Sequence, residues 1–94
     1  MENKKVRVVI DVTKRDIQLG VMEDNQKCPI ARAARRAGVR HQFVTYAWGL
    51  SVGSADYSVA MLPLEAKKFI KAFDAGKDVK PFKFSVLIDK KYLR

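Results

Sequence analysis

The chain has 94 residues, 48% hydrophobic and 31% charged, with a formal net charge of +9 and a pI near 9.9. That balance excludes an intrinsically disordered chain, and the length excludes two independent cores, so one domain spanning 1–94 is expected. The single cysteine excludes an internal disulfide, and no apolar run is long enough to serve as a signal core or to cross a bilayer, so the expected setting is the cytoplasm with no membrane association.

In chain order, Val6, Val8, Ile10 and Val12 alternate with Arg7, Val9 and Asp11, which predicts a half-buried strand over Lys5–Val12. Thr13 stands three residues before Asp16, the spacing of a capping box, and opens a short helix that Gly20 ends. A polar loop over 22–27 leads into CPIARAARRAGVR, residues 28–40. Pro29 suits the first helical turn and Gly38 suits the position just past the end, which predicts a helix over 29–37. On a 3.6-residue wheel Ile30, Ala33, Ala34 and Ala37 share one side and Arg32, Arg35 and Arg36 the other. Arg40 and His41 follow and extend the positive stripe.

Alternation then resumes over 43–52 and is read as one long strand, bent or bulged near Gly49. It pairs in a hairpin with a second strand containing Tyr57, Val59 and Met61, across a turn at Gly53, Ser54 and Asp56. Pro63 opens a further helix in which Ala66, Phe69, Ile70 and Phe73 repeat at helical spacing, with Lys67, Lys68 and Lys71 outside and Gly76 as the stop. After Pro81, Phe82, Phe84, Val86 and Ile88 alternate in a last strand, and the basic tail 90–94 is expected to fray. The fold class is α+β: about four strands in a largely antiparallel sheet, helices packed mainly on one face, in the order β-α-α-β-β-α-β.

No catalytic constellation emerges. Cys28 and the single histidine, His41, fall at opposite ends of one helix, too far apart for proton transfer, and they cannot supply a zinc site. A helix dipole and Lys27 favour a lowered thiol pKa at Cys28, against which stands the commoner role of a lone cysteine as a small buried residue or cap. Glu23 and Asp24 are too few for a cation site and read as a solvated turn. Gly49 and Gly53 lack the spacing of a phosphate loop, and the Trp48 face reads as core. No enzyme activity, cofactor or metal is expected.

The arrangement of the first strand, the short helix ending in Gly20, CPIARAARRAG, and LPLEAKKFIKAFDAG before PFKFSVLI resembles small uncharacterised α+β proteins of tailed phages and bacteria with a CPIA-type helix start. The residues that carry it most sharply are Cys28, Pro29, Ile30 and Ala31, with the last helix and its trailing strand. The resemblance implies a compact α+β domain, is consistent with a phage origin, and transfers no catalytic residues.

Charge therefore leads the functional reading: a non-enzymatic protein that contacts nucleic-acid phosphates through Arg32, Arg35, Arg36, Arg40 and His41, with Lys67, Lys68 and Lys71 as a second basic patch. The alternatives are a phage inhibitor or adaptor that binds an acidic host protein or captures an anionic nucleotide, and a virion or assembly component. Edge strands in a small sheet are compatible with a homodimer.

Overall fold

The computed structural model describes residues 5–24, 26–39, 42–45, 49–52 and 61–93. Its elements are β1 (Lys5–Val12), α1 (Lys14–Leu19), α2 (Pro29–Arg36), β2 (Gln42–Thr45), β3 (Gly49–Val52), α3 (Leu64–Asp74) and β4 (Phe82–Asp89), followed by a short 3-10 turn at Lys90–Tyr92.

The first and last strands meet. β1 and β4 run antiparallel in full register from Lys5 opposite Asp89 to Val12 opposite Phe82. Because side chains alternate, one face of this ribbon carries Val6, Val8, Ile10 and Val12 with Phe84, Val86 and Ile88, and that face is packed. Ile10, Val12, Ile30 and Ile88 are fully buried; each contributes roughly 1.5–3 kcal/mol by leaving water. Helix α2 lies against β1, α1 and β2. Its small side chains Ala31, Ala33 and Ala34 are buried with Ile30, so that its backbone comes close to the sheet. Ala37, placed on the packing side by the wheel, is instead exposed at the C-cap, where the helical turn no longer continues. Helix α3 is tied to β4 by aromatic rings: Phe69 lies 4.8 Å from Phe82, which is 5.4 Å from Phe84.

Both longer helices end alike. Gly38 (φ 103°) and Gly76 (φ 76°) take left-handed conformations. Val39 N–H donates back to the Ala34 carbonyl and Lys77 N–H to that of Ala72, closing two Schellman motifs. Pro63 serves α3 as N-cap rather than as its first helical residue, its carbonyl accepting from Ala66 and Lys67.

The expected four-stranded sheet is not what forms. Among the described residues the strands make two separate antiparallel ribbons, β1 with β4 and β2 with β3. The stretch read as one strand over 43–52 is folded back on itself, with Val44 opposite Leu50 and Thr45 opposite Gly49. Paired positions there are both even or both odd, so a period of two passes through the connection unbroken. Alternation alone cannot separate a straight strand from this hairpin. Of the strand expected at 57–61, Met61 is described and belongs to no strand, while the other positions lie outside the described residues. The segment after β4, expected to fray, is held by the 3-10 turn and by a bridge between Leu93 and Val39, and Tyr92 and Leu93 pack on the core.

Gly20 is required by space rather than by backbone conformation. A Cβ at this position would stand 2.6 Å from the Pro29 ring and 2.8 Å from the Asp16 carbonyl oxygen, where α1 and the start of α2 touch. We expect Gly20→Ala to lower the unfolding free energy by about 1–3 kcal/mol, read as a reduced urea midpoint at unchanged slope. A midpoint equal to that of the parent would show that α1 and α2 are not in this contact.

Candidate nucleic-acid interface

The cationic helix is built onto a carboxylate. Thr13 and Asp16 close the capping box of α1: Asp16 N–H donates to Thr13 Oγ1 at 3.2 Å, and Thr13 N–H donates to Asp16 Oδ2 at 2.9 Å. The same Asp16 side chain, fully buried, faces α2. Arg36 grips it with both arms, Nη1 donating to Oδ1 at 2.8 Å and Nη2 to Oδ2 at 2.6 Å. Arg36 Nη2 also donates to the Asp11 carbonyl oxygen at 2.7 Å, which fixes the guanidinium between β1 and α1. Arg32 Nε stands 3.5 Å from Asp16 Oδ1, an ion pair without a hydrogen bond.

Burial by itself would raise the Asp16 pKa. The hydrogen bonds from Arg36 and Thr13, helped by the Arg36 charge, outweigh it and bring the group from 3.8 to about 2. The pairing reciprocally holds the Arg36 pKa above its ordinary value.

The arginines therefore do not form a uniform stripe. Arg32 and Arg36 converge on Asp16, while Arg35 Nη1 turns to the Gln26 carbonyl oxygen at 2.6 Å and secures the preceding loop. In that loop Asp24 Oδ1 accepts the backbone N–H groups of Gln26 and Lys27, and the N–H of Glu23, at φ 57°, donates to Asp74 on α3. These acids thus order chain turns. Arg40 and His41 lie outside the described residues. On α3, Lys68 and Lys71 are exposed and Lys67 is half-buried, and no ion pair among the described residues engages them. No hydrogen bond or ion pair among the described residues joins those lysines to the arginines of α2.

The role of Asp16 was not readable from sequence, where it stood only as a capping residue. Its partner lies on another helix, and no local spacing announces a pair brought together by packing. Cys28 is the N-cap of α2, its Sγ accepting from Ala31 N–H at 3.4 Å. Burial pushes its thiol pKa up against the pull of the helix N–H groups, and the charges of Asp74 and Asp24 add to the rise. A thiolate activated by the helix dipole is not what this environment produces.

No family model, curated protein or solved structure matches the chain.

Asp16 titrates lower folded than unfolded, so its contribution is present above about pH 4 and is lost as the pH falls toward 2. The shift corresponds to about 2 kcal/mol. Asp16→Asn should lower stability at pH 7 by a similar amount and flatten the acid limb of stability against pH, measured by urea unfolding between pH 2 and 7. An acid limb identical to that of the parent would remove Asp16 from this role. For Cys28, a thiol reagent should modify the denatured protein rapidly and the native protein only at the pace of unfolding; equal rates would place the thiol at the surface.

Proposed function

We propose that the protein is a small basic, non-enzymatic binding protein whose target is nucleic-acid phosphate. The observation that carries this reading is where the opposing charges stand. Asp16 and Asp89 are buried, and Asp24 and Asp74 accept backbone N–H groups. Lys5, Arg7, Lys68, Lys71, Lys80 and Lys83 are exposed. Asp16 is matched by Arg36, and among the described residues the exposed lysines and arginines outnumber the exposed carboxylates. Asp11, Glu23, Glu65 and Asp78 remain exposed as a partial counterweight.

Helix α2 contributes in a modified sense. Arg32 and Arg36 share one carboxylate, so their cluster with Asp16 keeps a positive charge, to which Arg35 adds another. An anchored guanidinium loses less rotamer freedom on meeting a phosphate than a mobile one. Removing Arg36 would disturb folding and recognition together, so the informative substitutions lie on α3.

Fluorescence anisotropy with labelled single-stranded and double-stranded oligonucleotides across a salt series tests the reading. Affinity should fall steeply with salt as phosphate counterions are released. Lys68→Ala with Lys71→Ala should weaken binding to all sequences and reduce the salt slope by about one for each phosphate that is no longer neutralised. A folded parent that binds neither oligonucleotide at low salt would overturn it.

A further inference from the structure

The three arginines of α2 differ in what the fold leaves them to do. Arg36 uses both Nη groups, on the two Asp16 oxygens and on the Asp11 carbonyl. Arg35 Nη1 donates to the Gln26 carbonyl oxygen at 2.6 Å. Arg32 makes no hydrogen bond among the described residues. Its Nε is sealed from solvent without an acceptor, 3.5 Å from an Asp16 oxygen that already accepts Arg36 Nη1. Against the pull of burial, Arg36 and Thr13 already hold the Asp16 charge, so the carboxylate does not depend on Arg32. Nη1 and Nη2 of Arg32 likewise have no acceptor there, but they are not sealed: the side chain is 30% exposed although its inner nitrogen is buried.

We propose that Arg32 is the residue of α2 that contacts a phosphate group of the nucleic acid, through the Nη1 and Nη2 end of its guanidinium. The inference rests on the nucleic-acid reading above and names its contact. Two guanidinium charges meet one carboxylate in this cluster, so one positive charge is left over. It stands on the residue whose outer donors are unused. The planar fork presents two N–H groups side by side, a spacing that matches two oxygens of one phosphate. Its inner end is already held in the packed junction beside Asp16, so little rotamer freedom remains to be lost on contact. Unlike Arg36, Arg32 gives no hydrogen bond to the fold, so replacing it separates recognition from folding.

The test compares the parent with Arg32→Gln, Arg32→Lys and Lys68→Ala/Lys71→Ala, using anisotropy of labelled single-stranded and double-stranded oligonucleotides across a salt series. Urea unfolding of each variant, at neutral pH and through the acid range, gives the structural readout. Arg32→Gln should lose roughly fivefold to tenfold in affinity at about 0.1 M salt, with a salt slope lower by about one, the signature of one lost phosphate contact. Its acid limb should match that of the parent, because Arg36 still pairs with Asp16. Arg32→Lys keeps the charge and loses the fork; it should restore the slope and only part of the affinity. Unchanged affinity and slope in Arg32→Gln, beside a weakened α3 variant, would overturn the inference and leave the nucleic-acid reading standing on α3. Full recovery of affinity by lysine would overturn the forked contact. A lower midpoint and a displaced acid limb in Arg32→Gln, with an unchanged salt slope, would make Arg32 a structural partner of Asp16 and overturn the inference as well. A folded parent that binds no oligonucleotide would end both readings.

Discussion

The buried carboxylate of Asp16 is the constraint on which the helical half of the molecule depends. It caps α1 through Thr13, accepts both arms of Arg36 and lies in ion-pair range of Arg32. A carboxylate removed from water carries a large desolvation cost unless its oxygens are bonded, and here both are. The arrangement has directional consequences. Arg36 also reaches the Asp11 carbonyl, so strand β1, helix α1 and helix α2 are joined at one point. Next to it, the Pro29 ring fills the space that Gly20 leaves open. Apolar contact supplies cohesion, whereas the ion pair and the close approach hold α1 and α2 in place against β1.

The parts of the fold legible in the sequence are those governed by local rules. Strand β1 was expected over Lys5–Val12 and is found there, because alternation with one buried face admits one register. The capping box at Thr13 and the glycines at 38 and 76 are likewise local, each satisfying backbone groups of its own helix. The hairpin of β2 and β3 was misread because its register preserves the period of a straight strand. The number of sheets was misread for a related reason: strand patterns say that a segment pairs, and are silent about which segment it pairs with. The order of the segment after β4 depends on Val39, distant in sequence, which no local pattern exposes.

The candidate site shows the same division. That the helix over 29–37 has one packed and one cationic side followed from its periodicity, and its buried residues agree apart from Ala37, with Pro29 and Ala31 added. What those cations do in the folded molecule did not follow. Arginine forks bind a carboxylate of the same chain as readily as a phosphate of another, and the choice is made by tertiary proximity. Charge counted along a sequence overstates the part of it that is free to recognise a partner. Here Arg36 and Asp16 largely cancel each other, and the cations left to recognise a partner are those elsewhere on the surface.

The pairing of β1 with β4 also has a kinetic meaning. Even its closest partners in sequence, Val12 and Phe82, are 70 residues apart, about three quarters of the chain. During synthesis β1 leaves the ribosome well before β4, and its pairing cannot form until β4 has followed. Helices α1 and α2, whose contacts are nearer in sequence, can form early, while the ribbon must wait for closure of a long loop. For that interval Val6, Val8, Ile10 and Val12 form an apolar edge open to other chains, and Lys5, Arg7 and Asp11 are the charges that stand guard beside it.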